Sequence, residues 1–309
     1  MTSAIETRGL TKVFGKTKAV DSLDLHVPEG SIYGFLGPNG AGKTTTIKML
    51  AGLSKPTLGQ IKVFGREVSF GNRQYNDEIG FLPDVPNFYN WMNAVEFLRF
   101  TGEIFSIDKN ILSKRIGGLI ELVGLSGVKK RIGGYSRGMK QRLGIAQALI
   151  NNPRVVFLDE PTSALDPIGR KEVMDIMKTL SGKVTVFFST HILADVERIC
   201  DRVVILDHGR AVLEDKIEDL RSKYSMHVLS VETDAGEKKQ RIMDEIRRRE
   251  WTELVSNGEN GEFSVRTRNM EIAQRELPGI IAREDAALKK FIVLEPTLED
   301  IFMKVVDNK

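Results

Sequence analysis

A single cysteine, Cys200, is the whole thiol content of this 309-residue chain, so no internal disulfide can form. It sits beside Ile199, Val203 and Val204 and reads as a small core residue. No run of about eighteen apolar residues occurs, so no membrane-spanning helix is expected. Met1 to Leu10 lack the charged-then-apolar layout of a secretion signal, and the expected compartment is the cytosol. A net charge of +3 is too small to point to nucleic acid. No Asn-Lys-x-Asp guanine motif appears, which argues against a GTPase. What is present is ordinary for a soluble protein: 41% hydrophobic and 28% charged residues, in a length sufficient for two domains.

Against that plain background one stretch is specific. Residues 37–45 read Gly37, Pro38, Asn39, Gly40, Ala41, Gly42, Lys43, Thr44, Thr45. An apolar run (Ile32, Tyr33, Phe35, Leu36) precedes it and a helical pattern (Ile47, Met49, Leu50) follows. Strand, glycine loop and helix are the context a phosphate-binding loop requires. The glycines let backbone N–H groups turn inward around a phosphate chain, and the helix points its positive end at the same anion. In such a loop Lys43 reaches the β- and γ-phosphates, and Thr44 offers its hydroxyl to Mg²⁺.

Around this loop the chain alternates strands and helices, which predicts an α/β fold with a mostly parallel sheet. Short strands are expected at 4–10 and 20–27, where Leu23, Leu25 and Val27 alternate with polar residues. Further strands are expected at 59–64, 79–82, 155–158 and 184–189, with a strand pair at 203–206 and 211–214. Phe14 lies between the first two strands; it packs on the sheet or offers a flat ring for stacking. Residues 87–152 read as a helical insertion. It begins with a capping box at Asn93 and Glu96, and Val95, Leu98 and Phe105 are placed on one helix face. From about Tyr224 the texture changes to a small α+β region of ferredoxin-like type, with no glycine loop, metal cluster or acid pair. It includes a charged helix over 238–251, whose Arg247, Arg248 and Arg249 read as a solvated face, and a short helix before a strand at 290–294.

Two further features carry chemistry. Asp159 and Glu160 end the apolar run 155–158, and ligands bind at the carboxyl ends of parallel strands. An Asp there holds Mg²⁺, usually through water, and a neighbouring Glu can take a proton from an attacking water. Tyr135, Ser136, Arg137, Gly138 and Met139 open a helix. Ser136 suits an N-cap, yet a cap has no need of Gly138. A helix N-terminus with a hydroxyl and a glycine is an anion site. One chain already has such a site for the nucleotide, so this one is read as gripping a nucleotide held by another subunit.

In order, these motifs resemble the ATPase subunit of ABC transporters. The matching set is the loop at 37–45, a bend at Asp84, the stretch 135–139, the run 155–161, Ser163 to Asp166, and Ser189-Thr190-His191. The ending Glu295 to Phe302 is similar to the multidrug, antibiotic and sodium exporter branch of that family. The resemblance implies a P-loop NTPase with a RecA-like parallel core, an antiparallel β subdomain and the helical insertion over residues 1–222, and an accessory α+β domain over 223–309. It implies ATP and Mg²⁺ as cofactors. Phe14 would stack on adenine, and Asn39, Gly40, Gly42, Lys43, Thr44 and Thr45 would hold phosphates and metal. Asp159 would support the metal, Glu160 would polarise the water, and His191 would contact the γ-phosphate. Ser136 and Gly138 would close on ATP bound to a second ATPase subunit, an identical copy in the first instance, with Asp166 at the seam. The remaining partner would be a polytopic membrane permease, which places the chain on the inner face of the cell membrane. Three residues depart from the family pattern: Asp84 and Met139 stand where Gln is usual, and Arg137 where Gly is usual. Asp84 would therefore reach the metal only through water. The alternative is a soluble regulatory ATPase of the same fold that never meets a membrane.

Overall fold

The computed structural model describes residues 2–71, 76–224 and 227–307. The chain divides into two compact units, Met1–Ile217 and Glu218–Lys309; the sequence reading places the boundary five residues later.

In the first unit, β1 (Ser3–Phe14) and β2 (Thr17–Pro28) form one long antiparallel hairpin, joined on the other side of β1 by β4 (Leu58–Val63) and β5 (Arg66–Glu67). The hairpin strands are longer than expected because register shifts around Thr7, Leu10 and Lys12 break the two-residue alternation. Between these strands in sequence lie β3 (Ile32–Leu36) and α1 (Lys43–Leu50). Downstream come β6 (Ile79–Leu82), α2 (Ala94–Ile104), α3 (Lys109–Leu122), α4 (Arg137–Ala148), β7 (Val155–Leu158) and α5 (Pro167–Thr179). The unit closes with β8 (Thr185–Thr190), α6 (Leu193–Ile199), β9 (Arg202–Asp207) and β10 (Arg210–Lys216).

The order of the second sheet is β10-β9-β3-β8-β7-β6. All its neighbours pair parallel except the β9–β10 edge. Its inner strands are buried along their whole length, as β3, β7 and β8 show, which is why they read as continuous apolar runs. Tyr33, Phe35 and Phe157 all pack on Phe187. Four adjacent strands therefore deliver their carboxyl ends to one edge: β3 the phosphate loop, β6 Asp84, β7 Asp159 and Glu160, β8 His191. Cys200 is half-buried, with its thiol against Gly34. Burial, with Asp201 and Asp195 nearby, pushes that thiol well above its ordinary range.

In the helical segment the Asn93–Glu96 capping box is formed, each side chain taking the other's backbone N–H at 3.0 and 2.9 Å. Val95 is not on the buried face: it is exposed, Phe105 is half-buried, and the face is made by Ala94, Phe97, Leu98 and Thr101. Asn93→Ala is expected to destabilise the first unit by about 1 kcal/mol, read as a lower urea midpoint at unchanged slope. An unchanged midpoint would remove the box from the helix's support.

The helix α7 (Ile217–Lys223) crosses the boundary between units. The second unit then runs β11 (Val228–Glu232), α8 (Glu237–Arg247), β12 (Thr252–Asn257), β13 (Glu262–Thr267), α9 (Met270–Arg283), β14 (Lys290–Leu294) and α10 (Leu298–Asp307). Its antiparallel sheet has the order β12-β13-β11-β14, the split arrangement of a ferredoxin-like α+β unit. Helix α9 is longer than the short helix expected, because it continues through Pro278. Leu277, Ile280 and Ile281 stay buried on both sides of the proline, and that packing offsets the lost backbone bond. Arg247 and Arg249 pair with Asp244 and Glu245 within their own helical surface.

Candidate active site

The phosphate loop is pressed against its neighbours. Gly42 has φ of 101°, and a Cβ there would come within 2.3 Å of the Ala19 carbonyl oxygen. A Cβ on Gly37 would meet the Leu206 carbonyl oxygen at 2.7 Å. These two positions admit glycine alone. No side chain caps the N-terminus of α1, so its positive end faces the loop's interior. Lys43 is buried, and its ammonium donates to the carbonyls of Gly37 at 2.7 Å and Pro38 at 3.1 Å.

The loop opens on a cavity of about 390 Å³ lined by Asn39, Gly40, Gly42, Lys43, Thr44, Thr45, Asp84, Glu160 and His191. Opposite the loop, Asp159 is 2% exposed. Its Oδ1 accepts from Thr44 Oγ1 at 3.1 Å and from Ser189 Oγ at 2.7 Å. The Ser189 oxygen in turn accepts the backbone N–H of Glu160 at 2.9 Å. Glu160 sits in left-handed backbone geometry, φ 48°. This turns its carboxylate back into the cavity between two nitrogens: Lys43 Nζ at 3.2 Å and His191 Nδ1 at 2.9 Å. The Asp84 carboxyl is raised above the usual range by burial first and then by the charges of Asp159 and Glu160, with Arg137 and His191 acting against the shift.

Sequence reasoning thus named most of the cavity, but Ala19 and Ser163, which line it, went unassigned, as did Ser189, which is bonded to Asp159. Ser189, quoted only as part of a motif, joins Asp159 to Glu160. Ala19, an unremarkable residue of β2, lines the same cavity and sets the limit on Gly42; no sequence signal marks it.

Not every expected residue is gathered there. Phe14 ends β1 as a half-exposed ring, with the Lys12 ammonium 5.0 Å from its centroid; it neither packs into the sheet nor lines the cavity. Ser136 and Gly138 lie on a separate groove of about 330 Å³, shared with Arg137, Met139 and residues 164–166. Ser136 Oγ caps α4 by accepting the Met139 N–H at 3.2 Å, and Asp166 caps α5 through Gly169. The N-terminal ends of α1 and α4 therefore line two separate pockets of the chain.

A phosphate loop leaving a central parallel strand, with an Asp–Glu pair at the end of a buried strand two places along the sheet and a histidine within hydrogen-bond reach of the Glu, defines a P-loop nucleotide hydrolase. Comparison with known proteins narrows this. Residues 20–163 match the ABC transporter family, and residues 216–306 match the C-terminal domain of ATP-binding proteins of the DrrA1-3 type. The chain is 39% identical over 305 residues to an uncharacterized ABC transporter ATP-binding protein, YxlF of Bacillus subtilis, covering 98% of this chain and 99% of that one. It is 44% identical to the bacitracin transport ATP-binding protein BcrA of Bacillus licheniformis, over 72% of this chain and 73% of that one. Among solved structures it is similar to the ATP-binding cassette MJ0796, described as a dimer in a post-hydrolysis state with ADP and Pi. The TM-score is 0.62 at 26% identity, over 69% of this chain and 98% of that one. The chain belongs to the ATP-binding subunits of ABC transporters, in the branch with the DrrA-like C-terminal domain, and it is an ATPase.

Proposed function

We propose that this subunit drives export, as one of two identical ATPase protomers that bind ATP between them. The observation that carries this reading is that the Lys43 cavity and the Ser136–Gly138 groove, each lined by a helix N-terminus, are separate pockets within one chain. Head-to-tail pairing brings the groove of one protomer over the cavity of the other, and each ATP then meets both. Export, rather than import, is inferred from the C-terminal match and from the likeness to the bacitracin transport protein.

Within the cavity, Lys43 and the loop amides would hold the phosphates, and Phe14 would meet the adenine at the hairpin's tip. The residues fit Mg²⁺. A hydroxyl and a carboxylate oxygen, Thr44 and Asp159, converge at 3.1 Å beside the phosphate loop. Among the described residues no group of three or more His, Cys, Asp or Glu could hold a metal by itself. That combination suits a cation held by one or two protein oxygens, water and substrate phosphates. When bound, it neutralises charge on the transferring phosphoryl group. Glu160 takes the water's proton, and His191, fixed by its bond to Glu160, stands at the γ-phosphate.

The helical segment 87–152 supplies the docking face for a polytopic membrane partner. Tyr89 and Trp91 are 48% and 62% exposed and contact one another, with Val85 and Ile104 also exposed. Phe88 instead packs inward on Phe97. Among the described residues no helix is long and apolar enough to cross a membrane, so attachment at the inner face is through that partner. Residues 223–309 act as an accessory domain. Affinity capture of the tagged chain from detergent-solubilised membranes of its host is expected to bring down a polytopic protein. Recovery of the ATPase with soluble partners alone would contradict the transport reading.

A further inference from the structure

A buried carboxylate outside the nucleotide cavity holds three segments together. Asp195, on the seven-residue helix α6 that begins two residues after His191, is 1% exposed. It accepts from Thr162 Oγ1 at 2.6 Å and from Arg170 Nε at 2.6 Å. Thr162, itself 2% exposed, lies two residues beyond Glu160. Arg170 stands in the first turn of α5, and its backbone N–H donates to Asp166 at 2.9 Å. The loop from Glu160 to Asp166 has left-handed residues at both Glu160 and Ala164. Its far end, 164–166, lines the groove of Ser136 and Gly138.

An ion removed from water at this depth costs several kcal/mol, and such pairs are replaced by apolar packing without loss in many cores. What the short, directed bonds supply is geometry: one anion fixes a helix start, a loop and a second helix start in one arrangement. We infer that Asp195 is a positioning residue that yokes the His191 segment to the loop ending at Asp166. A shift of His191 toward a γ-phosphate then displaces the face that meets the second protomer. The inference rests on the two-protomer reading for its consequence, although the yoke itself is a property of one chain.

The test uses the full chain. Thr162→Val removes the hydroxyl at constant shape, Thr162→Ser keeps it, and Asp195→Asn removes the charge that Arg170 faces. Thr162→Val and Asp195→Asn are expected to lower kcat by about 10–100-fold, the usual cost of misplaced catalytic geometry. ATP affinity by calorimetry is expected to stay within about twofold of wild type, and cooperativity in ATP is expected to be lost. Thr162→Ser should restore both rate and cooperativity. Amide exchange in the nucleotide-free chain should quicken over 161–166 and 191–195 together in Thr162→Val. Exchange that is unchanged in either segment, or equal kcat for the Val and Ser variants well below their Tm, overturns the proposal. Coupled exchange in a wild type that hydrolyses ATP without cooperativity keeps the yoke and removes the two-protomer reading instead.

Discussion

Glu160→Gln is expected to bind ATP normally and to hydrolyse it ~10²–10⁴-fold more slowly, the usual size of general-base loss. The substitution is close to isosteric. Glu160 presents Oε1 to Lys43 at 3.2 Å and Oε2 to His191 at 2.9 Å. An amide can still offer its oxygen to the ammonium and its nitrogen to an imidazole acceptor. Its backbone is held independently, by Ser189 and by the left-handed turn. The shape of the cavity is therefore retained, and what disappears is a basic oxygen for the water's proton. Single-turnover hydrolysis alongside ATP calorimetry separates the two effects. Near-normal turnover would remove Glu160 from the chemistry.

Lys43→Ala is expected to weaken ATP binding by ~10–100-fold, corresponding to ~1.5–3 kcal/mol for hydrogen bonds to a charged group. The lysine is buried and points inward, so its ammonium is already largely stripped of water before phosphate arrives. Its donors are on two loop carbonyls and its charge is on Glu160. A phosphate therefore replaces Glu160 as the main counter-ion, and without Lys43 that carboxylate stands uncompensated against the nucleotide's charge. Unchanged ATP affinity by calorimetry would contradict the assignment of the loop.

The phosphate loop, the Asp159–Glu160 pair and the strands 79–82 and 155–158 were legible because each leaves a local mark: glycines where backbone must turn, or apolar runs where both faces are buried. The hairpin of β1 and β2 was read too short, since its bulges erase the alternation that identifies a strand. Helix α9 was underestimated because Pro278 looks like a terminus when burial of the surrounding face cannot be seen. Val95 was placed inside by helical spacing that fits Phe97 as well. Thr162, Arg170 and Asp195 form one cluster, yet nothing in their separation along the chain announces it. Their meeting depends on how α5 and α6 return to the edge of the sheet. Ala19 shows the same limit from the other side, because its part in the site is its backbone oxygen.

The direct test of a site built from two protomers is a mixing experiment. Lys43→Ala lacks the cavity's cation, and Gly138→Asp places a carboxylate in the groove. Gly138 has room for a Cβ, its nearest neighbour being Gly169 Cα at 3.8 Å, so the second variant should fold. Each alone should hydrolyse ATP poorly. Mixed in equal amounts, they can form heterodimers with one site in which both halves are intact, about a quarter of all sites under random pairing. Hydrolysis by the mixture well above the sum of the two variants is the expected result. A mixture no more active than its parts would contradict the account.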